Sequence, residues 1–165
     1  MNEHTERVVE NISLLADAFR ELGLPAVFTK FVNLADSPYE RLIDWTRVRE
    51  IPEIDLYGAI HRPGETIIEK HFYTAFTDEF ELLAANENWQ TFFFCGLSTE
   101  SCVLKSAVDA FEKHLSPLVI TDACASDLGN DLHEKGLSIL EVMIGKKQMI
   151  STQETLALIH KYKNK

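Results

Sequence analysis

The sequence lacks most of the features that mark specialised classes of chain. No apolar run approaches the roughly 18 residues that a membrane span needs. Met1 is followed by Asn2, Glu3, His4, Thr5 and Glu6, with no apolar core of a secretory leader. Cysteine is scarce: Cys95, Cys102 and Cys124 are an odd number at no zinc-like spacing. With no leader, they are expected to be free thiols in a reducing cytoplasm. Positive charge is scarce too, with 16 Lys and Arg against 26 Asp and Glu, for a net charge of −10. That excludes a nucleic-acid binder working by counterion release from phosphates, and docking on an anionic membrane. The six histidines (His4, His61, His71, His114, His133 and His160) form no i, i+2 or i, i+4 pair of ligand type and read as surface or capping residues. No glycine-rich phosphate loop appears. Neither a metal nor a nucleotide cofactor is therefore expected.

What is present is ordinary in amount and informative in order. At 165 residues, 45% hydrophobic and 25% charged, the chain has the composition of a soluble globular protein. The length fits one domain over residues 1–165, able to bury about 70% of its unfolded surface. Val8, Val9, Ile12, Leu15, Ala16, Phe19 and Leu22 recur at three and four, which predicts a helix over Glu6 to Leu22, stopped by Gly23. Residues 26–32 form a β-rich run. Residues 33–65, with Pro38, Pro52, Pro63, Trp45 and Tyr57, read as a long excursion with helical turns around Tyr39 to Arg49.

The rest alternates. A short strand from Thr66 ends at Lys70; a helix follows over about Asp78 to Glu87, then an apolar strand from Gln90 to Cys95 ending in Gly96. Glu100 to Lys113 reads as a helix, Leu118 to Thr121 as a strand, Leu132 to Ile144 as a helix, Gln148 to Ser151 as a strand and Gln153 to Lys163 as a final helix. Strands apolar throughout, alternating with helices, predict an α/β fold: a doubly wound, mostly parallel sheet with helices on both faces.

In such sheets ligands sit outside the carboxyl ends of the strands. The most informative strand end is Phe92-Phe93-Phe94-Cys95-Gly96-Leu97-Ser98-Thr99-Glu100-Ser101-Cys102. The strand breaks at Gly96 and turns into a helix whose first turn holds Cys102, with Thr99 as the expected N-cap. A thiol there faces the positive end of the helix dipole, which favours thiolate. Backbone N–H groups of Ser98 and Cys102 are candidate oxyanion donors. Free cysteines are usually small buried hydrophobes; that reading holds for Cys95 within its strand and for Cys124, and leaves Cys102 as the candidate nucleophile. A thiol nucleophile needs a positive neighbour or a base. Lys70, at a strand end and followed by Phe72, Tyr73 and Phe76, is the candidate for that role.

Together these segments resemble one family. Residues 96–103, Gly-Leu-Ser-Thr-Glu-Ser-Cys-Val, resemble the cysteine turn of the isochorismatase-like cysteine hydrolases. Lys70-x-x-Tyr73-Thr74-Ala75-Phe76 resembles their lysine motif, and Thr121-Asp122-Ala123-Cys124-Ala125-Ser126 the segment after their next strand. The resemblance implies hydrolysis at a carbon–nitrogen or enol-ether bond. It implies Cys102 as nucleophile, Lys70 as stabiliser of thiolate and developing charge, and a cis peptide at Leu97–Ser98 beside the oxyanion donors. Phe72, Tyr73, Phe76 and the Trp45 loop are the expected pocket for a small-molecule substrate. A homo-oligomer, dimer or tetramer, is implied as well.

Two family features have no counterpart. The first central strand, ending in an aspartate that serves as base, is not found in Met1 to Thr5, and Asp17 lies mid-helix. A truncated or mis-started sequence, replacement of the strand by another segment or chain, and a non-catalytic relative each account for this. Residues 31–37, Phe-Val-Asn-Leu-Ala-Asp-Ser, lack the histidines of metal-dependent nicotinamidases, which makes nicotinamide a less expected substrate. The leading expectation is a hydrolase cleaving a small amide through a Cys102 thioester. The alternative is a non-catalytic binding or assembly subunit on the same fold. A redox-sensing thiol protein comes third, since Cys102 has no C-x-x-C partner.

Overall fold

The computed structural model describes residues 3–57 and 60–163. Helix α1 (Glu3–Leu22) ends where the sequence predicts. Gly23 takes φ 65°, its N–H donates to Arg20 O and Leu24 N–H to Phe19 O. This double closure satisfies the last carbonyls of the helix and needs a left-handed residue at Gly23. Strand β1 (Val27–Phe31) follows after four residues.

The excursion is less helical than expected. Helix α2 (Pro38–Ile43), capped by Ser37, covers only the first part of the segment predicted around Tyr39 to Arg49. Beyond it the chain is tied down by one buried side chain instead of by helical bonds. Asn33 Nδ2 donates to Trp45 O at 3.0 Å and to Arg47 O at 3.2 Å, and its N–H donates to Val48 O. An irregular segment stays ordered when its backbone carbonyls find such partners.

Strand β2 (Thr66–Lys70) pairs in parallel with β1, from Val27↔Thr66 to Phe31↔Lys70. Helix α3 (Asp78–Asn86) is capped by Thr77. Strand β3 (Thr91–Leu97) runs through Gly96 instead of stopping there. The register with its neighbour shifts between Phe94 and Gly96, and Gly96 adopts φ 116°, so the glycine serves a bulge inside the strand. A π-helical turn (Thr99–Val103) then leads into α4 (Leu104–Glu112).

Strand β4 (Ser116–Ala125) continues past Thr121, where the charge of Asp122 suggested an end. Ala123, Cys124 and Ala125 are fully buried, and the Asp122 carboxylate accepts from the N–H and hydroxyl of Thr152. Asp122 thus caps the start of a later helix. Helix α5 (Asn130–Ile144), strand β5 (Met149–Ile150) and helix α6 (Thr152–Lys163) complete the order.

All strand pairs are parallel, but the strands form two sheets, β1-β2 and β3-β4-β5. One core cluster bridges them. On one face Ile68 of β2, Phe92 of β3 and Phe76, Phe80 and Ala84 from α3 and its approach share a core cluster, with Val27 of β1 packed against it. A neighbouring cluster joins Val119 and Cys124 to α4 and α5 through Ala107, Val108, Leu140 and Ile144. On the opposite face Leu15 of α1 packs on Ile120 and Ala123, with Phe93 and Leu156 beside them. The result is a three-layer α/β fold with its central layer interrupted between β1 and β3. Among the described residues no helix is long and apolar enough to cross a membrane.

Candidate active site

The carboxyl ends of β2 and β3 bring Lys70 and Cys102 together. Lys70 Nζ lies 3.3 Å from Cys102 Sγ and also donates to Phe72 O at 2.7 Å and Tyr73 O at 3.0 Å. Its ammonium sits 5.3 Å from the centroid of the Phe31 ring, a cation–π distance. Lys70 is 4% exposed. A lysine so deeply buried is stable only when its donors are engaged, and here two carbonyls and a sulfur take all three.

The thiol is carried by the π-helical turn, where the sequence predicted a plain α-helix capped by Thr99. The Ser98 carbonyl accepts from both Ser101 N–H and Val103 N–H, and the widened turn projects Cys102 between them. Single π turns of this kind concentrate at functional sites. Ser98 occupies the cap position without a side-chain cap bond, its hydroxyl turned instead to the Asp127 carboxylate. Thr99 is a correction: it is fully buried and its hydroxyl pairs with His133 Nδ1 at 2.8 Å. His133 is a second correction, being a buried partner of the cysteine turn and not a surface residue. The Leu97–Ser98 peptide is cis.

Ser106, which the sequence reading passed over, ties the two halves of the site. Its hydroxyl donates to Cys102 O at 2.6 Å and accepts from Ala75 N–H at 2.9 Å. The helical i, i+4 spacing from Cys102 was the available signal. Gly136 of α5 allows the cysteine turn to approach closely: a Cβ there would lie 3.0 Å from the Glu100 backbone.

The expected aromatic pocket divides. Phe72 is exposed and Tyr73 partly so, both beside Lys70. Phe76 is corrected to the core, where its ring meets Phe80 at 5.2 Å and Phe92 at 5.7 Å. Tyr39 takes a place the sequence did not assign. It is buried and packs edge-on against Tyr73 at 5.0 Å and Phe31 at 5.3 Å, with Trp45 at 6.0 Å. Desolvation, reinforced by the nearby Tyr73 and Cys102, pushes the Tyr39 hydroxyl up to about 12.

The other thiols differ. Cys124 is buried and its thiol is pushed well upward by desolvation. Cys95 is exposed, against the expectation of burial. Asp17 lies on α1, in ion pairs with Arg20 and Arg62. Among the described residues no group of three or more His, Cys, Asp or Glu side chains is placed to hold a metal ion.

The family model for the isochorismatase domain matches residues 1–153. This chain belongs to the isochorismatase family. Solved structures agree on the fold of this isochorismatase-family chain. The nicotinamidase of Bacillus subtilis is 28% identical, with 90% of this chain and 87% of that one covered at a TM-score of 0.77. A cysteine hydrolase from Pseudomonas syringae pv. phaseolicola is 18% identical, with 96% and 83% covered and a TM-score of 0.81. The N-carbamoylsarcosine amidase of Thermoplasma acidophilum is 19% identical, with 92% and 86% covered and a TM-score of 0.75. No curated protein compared with the sequence matches it. Two of these structural neighbours carry the names of amide hydrolases, the nicotinamidase and the N-carbamoylsarcosine amidase.

Proposed function

We propose that this chain is a cysteine amidohydrolase cleaving the carbon–nitrogen bond of a small-molecule amide. The observation that carries the reading is the 3.3 Å approach of Lys70 Nζ to Cys102 Sγ where the strands end. In the first step the Cys102 sulfur bonds to the amide carbonyl carbon and the C=O electron pair moves onto oxygen. The N–H groups of Ser98 and Cys102 are the proposed donors to that oxyanion. Collapse breaks the C–N bond; the amine leaves carrying the proton given up by the thiol, and a thioester remains. Water then adds to the thioester, releasing the acid and restoring the thiol. Lys70 acts as a fixed cation, because Phe72 O, Tyr73 O and Cys102 Sγ occupy its three donors. Tyr73 and the exposed Phe72 are the proposed apolar walls for the substrate.

A second reading, a binding or assembly subunit without hydrolysis, draws on a different fact. Among the described residues no carboxylate hydrogen-bonds to Cys102 or Lys70, and a base is the usual companion of a thiol nucleophile. One experiment separates the two. The chain is treated with limiting iodoacetamide at pH 7 and mapped by mass spectrometry, and amine release is measured on a panel of small amides. Selective alkylation of Cys102 with amine release that vanishes in Cys102→Ala supports the hydrolase. Equal labelling of the three thiols, or turnover unchanged in Cys102→Ala, overturns it.

A further inference from the structure

The registered pairs of β3 and β4 end at Leu97↔Ala125. Beyond that pair lie the cysteine turn, from Ser98 to Cys102, and the loop that follows β4, from Ser126 to Gly129. Side chains take over the joining of the two segments, and they do so reciprocally. Ser98 of the turn donates its hydroxyl proton to the Asp127 carboxylate of the loop. Ser126 of the loop donates its own to Glu100 Oε1 of the turn at 2.8 Å. Each segment supplies one hydroxyl and one carboxylate, and hydrogen bonds to an ionised carboxylate are stronger than neutral ones.

The two bonds differ in their surroundings. Ser126 is buried, and its hydroxyl also accepts from Leu128 N–H at 3.0 Å. Glu100 is backed by α5, where a Cβ at Gly136 would lie 3.0 Å from its backbone. This inner bond ties the turn to the body of the fold. Asp127 is exposed and Ser98 half-buried, so the outer bond competes with water and contributes little to stability.

What the outer bond does fix is one residue. The Ser98 carbonyl accepts from Ser101 N–H and Val103 N–H, each at 3.2 Å. The hydroxyl on Asp127 holds the same residue by its side chain. Fixing the carbonyl and Cβ directions at one tetrahedral Cα also fixes where its nitrogen sits. Leu97, still paired with β4, fixes the other end of that peptide. The Ser98 N–H is thereby aimed in advance.

We propose that Asp127 is a positioning residue for the reaction: through the Ser98 hydroxyl it holds the Ser98 N–H on the oxyanion formed when Cys102 attacks. The inference rests on the proposed reading of Cys102 as nucleophile with the N–H groups of Ser98 and Cys102 as oxyanion donors. A donor stabilises most when its direction is set before the charge develops, and a small misplacement forfeits much of the gain. The Asp127 charge itself repels an oxyanion, so any benefit from Asp127 comes only through the hydroxyl it holds. Geometry and charge act with opposite signs, which makes them separable.

Two reagents test this on the 165-residue chain. Iodoacetamide alkylates Cys102 by displacement at a saturated carbon, with no oxyanion. With p-nitrophenyl acetate the Cys102 sulfur bonds to the carbonyl carbon through a tetrahedral oxyanion, and nitrophenolate leaves with the electron pair of its C–O bond. Both rates are measured at pH 7, with each adduct mapped to Cys102 by mass spectrometry. In Asp127→Ala and in Ser98→Ala, acetylation is expected to slow at least about tenfold while alkylation stays within about twofold of the parent. Asp127→Asn keeps an oxygen that accepts from Ser98 and loses the charge, and is expected to acetylate at least as fast as the parent. Combining Ser98→Ala with Asp127→Ala costs no more than either alone, because both remove one bond.

Equal slowing of both reagents in Asp127→Ala reports a disturbed turn and overturns the positioning role. Slowing in Asp127→Asn equal to that in Asp127→Ala, or additive losses in the double variant, overturns it too. Normal acetylation of the parent with no slowing in Asp127→Ala overturns this proposal alone. A parent whose Cys102 is alkylated but never acetylated overturns the oxyanion chemistry of the proposed hydrolase, and this proposal with it.

Discussion

Lys70 and Cys102, 32 residues apart in the chain, meet at 3.3 Å with the lysine ammonium held on two further carbonyls. A cation fixed on three partners cannot swing away, so its charge is permanently directed at the sulfur. Lys70→Met keeps the stem and removes the charge. Alkylation of Cys102 at pH 7 is expected to slow by at least about tenfold, and amide turnover to fall by roughly 10²–10³-fold. Rates by mass spectrometry and steady-state kinetics check both.

Ser106 is expected to act through Cys102 without touching substrate. Ser106→Ala leaves the Ala75 N–H without its partner and frees Cys102 O, at a cost of about 1–3 kcal/mol. Urea unfolding measures that cost. Ser106→Thr, which restores a hydroxyl, recovers Cys102 alkylation where Ser106→Ala does not.

Gly136 sets the distance between α5 and the cysteine turn. Gly136→Ala places a methyl 3.0 Å from Glu100 backbone atoms, which cannot withdraw as a side-chain tip can. Overpacking of about 1–3 kcal/mol is expected, together with altered Cys102 reactivity. A thermal melt unchanged from the parent contradicts the close approach.

Glu65 contributes to stability on the acid side. Its carboxyl, hydrogen-bonded by Arg20 and by Arg62 N–H, is held at about 2 in place of 4.5. A depressed carboxyl contributes stability that is present above 4.5 and lost as pH falls through the folded value. The chain is therefore expected to lose stability between pH 4.5 and 2, with a shallower loss in Glu65→Gln. Denaturant midpoints measured across that range check the slope.

Tyr39 contributes on the alkaline side. Its hydroxyl is held at about 12 in place of 10 by desolvation, so the folded chain keeps a proton that the unfolded chain releases. Stability contributed this way is intact below pH 10 and declines as pH rises towards 12. Absorbance near 295 nm shows one tyrosine ionising late, and Tyr39→Phe removes that late step.

The sequence by itself determined the local structure and the chemistry on offer. Apolar spacing in α1, the stop at Gly23 and the all-apolar strands before Gly96 are local signals, since helix and strand periods are fixed by backbone geometry. Motif spacing marked Lys70 and Cys102, and the family match over residues 1–153 agrees with the resemblance those motifs carry. Where local signals misled, a distant partner had decided. Asp122 suggested a strand end, yet its charge is used up on Thr152. Thr99 suggested a cap, yet its hydroxyl belongs to His133. Phe76 sat beside the lysine motif, yet its ring completes the core under α3.

Only the tertiary structure decided the distances: Lys70 to Cys102, Ser106 between two segments, Tyr39 beneath Tyr73, and the break between β1 and β3. None of these distances is fixed by local sequence alone. Each arises because parallel strands bring remote residues to one end of a layer, where burial leaves polar groups no partner but one another.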